Sequence, residues 1–293
     1  MVPRYYVASV PRQRPSNRSL ALSIVVNVEE GAEMSVVDGD RGPEPVDEMG
    51  LTLKAPIRNY GNESNYQYGV KEGFPRVAAL LAKYDVPATW TCAAVALERA
   101  PHIAAFIRDR GDEAASHGYR WIHQFRFDEA TEREFLRNAV RSIESSVGTR
   151  PVGHLSRYLL TDNTRRLLVE EGFSYHMDDY SGDEPYWAMT TAGPIVVMPY
   201  AVDTNDMKMW SFGSYTPRQW LEYAIDSFDT MYAERRDGFR MLSIGLHLRI
   251  IGRPGRIGAL DRFLAHVGAH DDMWVTTRRA IAESFSATVP APA

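Results

Sequence analysis

The apolar positions of the chain fall into two recurring patterns. Ser19 to Val28 (SLALSIVVNV) is a β-branched run of the kind found in strands buried on both faces, and it stops abruptly at Glu29-Glu30-Gly31. Residues 32–69 follow with Gly, Pro, Asn and Asp at high density and no regular period, which predicts a long loop, and long loops in compact domains are often functional. Helical spacing returns from Gly69 to Tyr84 through Phe74, Val77, Leu80, Leu81 and Tyr84. After Pro87 the run ATWTCAAVAL predicts a second strand.

The alternation continues to the C-terminus. Helices are predicted at Pro101–Arg110, Asp128–Val147 with Asp128 as N-cap, Asn163–Glu171, Pro217–Arg235 and Arg256–His266, with a closing helix at the end. Between them lie strands ending at Ser116-His117-Gly118 and spanning Pro151–Leu155, Phe173–Met177, Ile195–Pro199, Arg240–His247 and Met273–Val275. About seven strand–helix units in one unbroken series predict an α/β fold, a distorted parallel (β/α) barrel, TIM-barrel-like, over residues 19–286. An extended arm at 1–18 precedes it and a flexible Ala/Pro tail at 287–293 follows. Such a barrel gathers its reactive groups at the C-terminal ends of the strands, around one mouth.

Composition narrows the function. With 293 residues, 44% of them apolar and 24% charged, the chain has the make-up of a globular protein with a large core. A net charge of -5 provides no cationic field for a phosphate backbone, so nucleic acid is not an expected partner. The single cysteine, Cys92, excludes an intrachain disulfide and any zinc site built on paired thiolates, and its apolar strand predicts an inert core thiol. No apolar run reaches the ~20 residues of a membrane span, and the N-terminal arm lacks a signal-peptide core. The cytoplasm is the expected compartment, with no membrane partner. The arm and the loop at 32–69 are large for a monomer and predict a homo-oligomer, a dimer or tetramer.

Three places carry candidate chemistry. Glu29 and Glu30 close the first strand; neighbours on a strand point to opposite faces, so one is expected to work and the other to support it. His117 stands in Ser116-His117-Gly118-Tyr119-Arg120-Trp121, where glycine permits close approach and aromatics surround the imidazole. His247 ends the strand 241–247 ahead of Arg249, Arg253 and Arg256; those cations disfavour its imidazolium, whereas a Glu partner would tune it into a general acid. His266 and His270 have the i, i+4 spacing of a metal pair, but Gly268 between them reads as a fraying helix end. No phosphate loop, dinucleotide glycine pattern or nucleophile elbow is present.

Taken in order, Asn27-Val28-Glu29-Glu30-Gly31, Ser116-His117-Gly118-Tyr119-Arg120-Trp121, Asn163-Thr164-Arg165-Arg166-Leu167, Pro185-Tyr186-Trp187, Asp203-Thr204-Asn205-Asp206-Met207 and Leu246-His247-Leu248-Arg249-Ile250-Ile251-Gly252-Arg253-Pro254 resemble the polysaccharide deacetylase (NodB-homology) family over nearly the whole chain. The double glutamate and the H-G-x-R-W stretch are most similar to its branch of cofactor-free allantoinases and related cyclic-amide hydrolases. The resemblance implies a distorted barrel that hydrolyses a non-peptide C–N bond. In the sugar deacetylases an aspartate pair supplies a base and a metal ligand, and two histidines complete the metal site. Here glutamates replace the pair, and Trp121 stands where the second histidine would be. Residues Gly153 to Thr161 also depart from the glycine-arginine pattern of an allantoinase.

On this resemblance Glu29, helped by Glu30, is the expected base and His247 the acid, with His117 and either Arg157 or a backbone N–H stabilising the oxyanion. Trp121, Tyr180 and Trp187 would line the pocket, and Asp203, Asn205 and Arg249 would bind polar edges of a small-molecule substrate. No cofactor is expected. The leading expectation is hydrolysis of a cyclic amide or ureide such as allantoin or an imide. One alternative is a metal-dependent N-acetyl-sugar deacetylase holding zinc or another divalent ion on Glu30 and His117, with His123 as a possible third ligand; another is a non-catalytic ligand-binding barrel.

Overall fold

The computed structural model describes residues 19–51, 53, 55–211, 214–236 and 238–292; the predicted N-terminal arm lies outside them. Strands β1 (Leu20–Val28), β2 (Ala88–Cys92), β3 (Glu113–Ser116), β4 (Gly153–His154), β5 (Tyr175–His176), β6 (Tyr186–Thr190), β7 (Gly193–Val197), β8 (Arg240–His247) and β9 (Trp274–Val275) form one curled sheet. Their order is β6-β7-β5-β4-β3-β2-β1-β8, with β9 also paired to β1. Every pairing is parallel except the β6–β7 hairpin. Between the end strands β8 and β6 the link is a hydrogen bond of 2.8 Å from Met241 N to Asp183 O.

 

That loop contact, together with an Arg240–Glu184 ion pair of 2.7 Å, takes the place of a strand ladder at the seam, so the barrel is curled rather than closed by pairing.

Helices cover the outside: α1 (Tyr60–Tyr68), α2 (Phe74–Lys83), α3 (Ala94–Arg99), α4 (Pro101–Arg110), α5 (Glu129–Val147), α6 (Thr164–Glu170), α7 (Pro217–Glu234), α8 (Leu248–Ile251), α9 (Pro254–Val267) and α10 (Arg278–Thr288). β1 is buried along its whole length, as its unbroken apolar run requires when flanked by β2, β8 and β9. Asp128 caps α5 by accepting from Thr131 N at 2.8 Å.

Several boundaries differ from the sequence expectation. The run ATWTCAAVAL is strand only to Cys92, and Ala94–Arg99 is helical because Ala94, Ala96 and Leu97 have strong helix preference once β2 has ended. The loop expected over 32–69 ends at Tyr60, where Asn59 caps α1 by accepting from Asn62 N at 3.1 Å. A π-helical stretch, Gly69–Gly73, joins α1 to α2. The tail expected from 287 begins later: α10 runs to Thr288, and Val289 is buried with its carbonyl accepting from Trp187 Nε1 at 2.9 Å.

The loop after β1 folds back on its own chain. Arg120 pairs with Asp40, Arg99 with Asp38 at 2.7 Å, and Glu44 is carried inside to the Arg157 guanidinium. This lays residues 32–51 beside the C-terminal rim of the sheet.

Candidate active site

Strand register decides which side chains meet. Asn27 lies opposite His247, Val28 opposite Cys92, Cys92 opposite Ser116 and Ser116 opposite His154. Glu29, His117 and His247 therefore emerge at one rim, around a cavity of about 330 Å³. Its wall also includes Trp121, Arg157, Tyr158, Tyr180, Tyr200 and Asn205.

Glu29 is the centre of the polar floor. Its Oε1 is 3.3 Å from His247 Nε2 and 3.4 Å from His117 Nε2, while Oε2 accepts from Arg249 Nη1 at 2.7 Å. All four side chains are buried. Burial alone would raise the Glu29 carboxyl, but the nearby His247 and Arg249 charges outweigh it and hold the group well below the usual carboxylate range.

His247 has a second carboxylate behind it. Nδ1 donates to Asp206 Oδ1 at 2.7 Å, and Asp206 Oδ2 accepts from His247 N and Ile251 N at 2.8 and 3.1 Å. Burial of the ring opposes protonation, yet Glu29 and Asp206 together prevail and raise His247 to about 9. Of the two influences weighed from sequence, the carboxylate partner prevails over the arginine cations, for a geometric reason. Arg249 faces Glu29, Arg253 donates to Asn65 and Arg256 to Glu48, so each cation is taken up elsewhere.

His117 is fixed differently. Its Nδ1 lies 2.6 Å from the Leu155 carbonyl, which can only accept, so Nδ1 carries the proton. In the neutral ring the Nε2 facing Glu29 is then a lone-pair nitrogen. An oxyanion role needs a proton there, so the geometry suits His117 to holding a water rather than an oxyanion.

Glu30 points the other way. Oε1 accepts from Arg249 N at 3.1 Å and lies against Gly69, where any Cβ would come within 2.6 Å of it. Burial and the neighbouring Glu29 charge raise its pKa. Glu30 thus sits behind the floor under the π-helical stretch and does not line the cavity. The same observation bears on a metal. Glu30 and His117, the pair the resemblance offered as ligands, do not converge, since His117 Nε2 faces Glu29; and Trp121 supplies no donor where a second histidine would stand. His123 has its Nδ1 against the Arg157 carbonyl, 3.3 Å away, and is outside the cavity wall. The donor set does not fit the deacetylase metal site.

Other predicted residues divide. Trp121, Tyr180 and Asn205 line the cavity. Arg157 also reaches it, but its guanidinium is held by Glu44 and by the Trp121 carbonyl at 2.7 Å and lies 3.7 Å over the Trp121 ring, which makes it a brace for that wall. Arg249 is behind Glu29, 4.3 Å over the Tyr66 ring, and meets the site through the carboxylate and the Trp121 ring, 5.4 Å away. Trp187 does not reach the cavity: it packs on Phe285 of α10, because the β6–β7 hairpin turns that face outward to the helix. Asp203 faces a neighbouring cavity and accepts from Tyr223 of α7 at 2.7 Å.

Three residues were not singled out from sequence. Asp206 lay within a quoted motif, and only the fold puts it behind His247. Lys208, two positions on, is part of the cavity wall. Tyr200 is the third. Its hydroxyl oxygen receives Asn27 Nδ2 at 3.1 Å and Asn205 Nδ2 at 3.4 Å, and both amides are oriented by other bonds: Asn27 Oδ1 accepts from Thr91 and Asn205 Oδ1 from Met207 N. With its oxygen accepting twice, the Tyr200 proton is the donor left for the cavity. Gly245 on β8 makes room for it, since a Cβ there would overlap the hydroxyl. Burial keeps this phenol protonated by pushing its pKa up.

Comparison with known proteins places the chain in a family. Residues 64–175 match the family model described as polysaccharide deacetylase. A Schizosaccharomyces pombe protein provisionally described as a polysaccharide deacetylase is 33% identical over 94% of this chain and 93% of its own. The crystal structure of PuuE allantoinase superposes with a TM-score of 0.93 at 39% identity, covering 99% of both chains. A Pseudomonas aeruginosa protein described as a probable polysaccharide deacetylase superposes with a TM-score of 0.92 at 38% identity, covering 99% of this chain and 100% of that one. The chain belongs to the polysaccharide deacetylase family, hydrolases of carbon–nitrogen bonds other than peptide bonds.

Proposed function

We propose that the protein hydrolyses a small cyclic amide or ureide, of which allantoin is the leading example, without using the family's metal. The observation that carries the reading is the floor of the cavity, where the Glu29 carboxyl and the His247 imidazole face one another at 3.3 Å with Asp206 behind the imidazole. Glu29 takes a proton from a water that His117 Nε2 helps to hold, and the water oxygen attacks the amide carbon. Tyr200 donates its hydroxyl hydrogen to the oxyanion so formed. As the C–N bond breaks, His247 gives its proton to the departing nitrogen, leaving a carboxylic acid and an amine or ureido nitrogen.

Size and lining support a small substrate. A cavity of about 330 Å³ is at the low end for ligand pockets and is walled by Trp121, Tyr158, Tyr180 and Tyr200, which suits a flat heterocycle. The likeness to PuuE allantoinase over the full length of both chains supports the same class.

A hydrolysis screen with allantoin, hydantoins, cyclic imides and N-acetyl amino sugars, run with and without chelator, tests the reading. Turnover of a cyclic ureide or imide that persists in chelator is expected, with Glu29→Gln and His247→Ala each lowering kcat by about 10²–10⁴-fold. Chelator-sensitive release of acetate from sugars, or undiminished turnover in both variants, would overturn it.

A further inference from the structure

We propose that Asp229, His266 and His270 form a binding site for a divalent transition-metal ion, zinc or a neighbour in its class, remote from the catalytic cavity and joining α7 to the end of α9. By spacing alone the two histidines read as a fraying helix end, and α9 does stop at Val267. The tertiary structure adds what the spacing lacks, a third donor from another element. One ligand atom from each of the three side chains lies within 4.8 Å of the other two, and no other such group of three His, Cys, Asp or Glu side chains occurs among the described residues.

The donors are held in place by their neighbours. His266 Nε2 is 2.8 Å from Asp229 Oδ1. His270 Nδ1 is 3.1 Å from the His266 carbonyl, which can only accept, so Nδ1 holds the proton and Nε2 keeps its lone pair. A backbone carbonyl on the non-ligating nitrogen is the usual way a ligand histidine has its tautomer and ring plane set. The rings are held from α7 as well: Phe228 meets His266 and His270 edge-on at 5.5 and 5.0 Å, and Tyr232 meets His270 at 4.6 Å. The Arg235 guanidinium, stacked over Tyr232, is paired with Asp272 at 2.9 Å.

Two imidazoles and one carboxylate are a borderline nitrogen and oxygen set, suited to zinc and its late first-row neighbours rather than to calcium or magnesium. Bonds of about 2.0–2.2 Å place the donors of a tetrahedral ion roughly 3.3 Å apart, so small side-chain movements close the set. Asp229 is half-exposed, which leaves a fourth position to water. Zinc in the purified protein would then report this surface site and say nothing about the chemistry of Glu29.

Equilibrium dialysis of metal-stripped protein against micromolar free zinc tests the site. About one ion per chain is expected, with His266→Gln and Asp229→Asn each weakening binding at least about tenfold while hydrolytic turnover is unchanged. Zinc should also raise Tm in the parent and not in the variants. Parent protein that takes up no zinc, or variants that bind as tightly as the parent, would overturn the proposal. So would zinc uptake lost in Glu29→Gln and kept in His266→Gln, since that places the ion in the cavity.

Discussion

At the scale of single residues, the site depends on which charges answer which. Glu29 and His247 were legible from sequence because each ends a strand of a predicted parallel barrel. Their protonation was not, since it is set by Asp206 and by the pairing of Arg249 with Glu29. The sign of the pH dependence follows. His247 is raised, so its proton is present at neutral pH and lost as pH climbs through about 9; Glu29 is lowered, so its charge persists well below the ordinary carboxylate range. The kcat/KM profile is therefore expected to fall on its basic limb near pH 9, and Asp206→Asn should move that limb down toward ordinary histidine values. A limb left in place would remove Asp206 from its positioning role. Tyr200→Phe deletes one hydroxyl and retains the ring, and kcat should fall about 10²–10³-fold with little change in KM, the pattern of a donor used in the transition state.

At the scale of elements, the long periodic helices and the fully buried strands were readable, because their patterns are set by burial of one face or both. The misread elements are short ones whose state is decided by neighbours. Ala94–Arg99 continues an apolar run that becomes helix only because the sheet has ended, and Tyr186–Thr190 became a strand only by pairing antiparallel with β7. α8 matters most for function. It carries Arg249 and packs on Gly69–Gly73 so closely that a Cβ on Gly73 would overlap the Leu248 carbonyl. Gly73→Ala is expected to displace α8, costing about 1–3 kcal/mol in a denaturant melt and lowering kcat through Arg249. Gly255→Ala in α9, where a Cβ meets nothing within 4 Å, should leave both unchanged or raise stability slightly. Equal losses in the two variants would discount the close crossing.

At the scale of the whole molecule, the chain was expected to assemble with copies of itself. The loop after β1 pairs Asp38, Asp40 and Glu44 with arginines of its own chain, yet Met49, Leu51 and Ile57 on it and Tyr60 at the start of α1 remain exposed. We propose that a second copy covers them, and light scattering should give a mass of at least twice the 33.1 kDa of one chain; a mass of one chain would exclude it. No described helix is long and apolar enough to cross a membrane. The sequence by itself determined the α/β class, the parallel strand series, the acidic doublet and the late histidine, because hydrophobic period and strand ends are local properties that survive without contacts. Only the tertiary structure decided that Glu29 faces the cavity and Glu30 does not, that Trp187 and Asp203 lie elsewhere, and that Tyr200 and Asp206 join the site. Strand register and the close glycine crossing bring together groups as many as 220 positions apart, and no period along the chain encodes such distances.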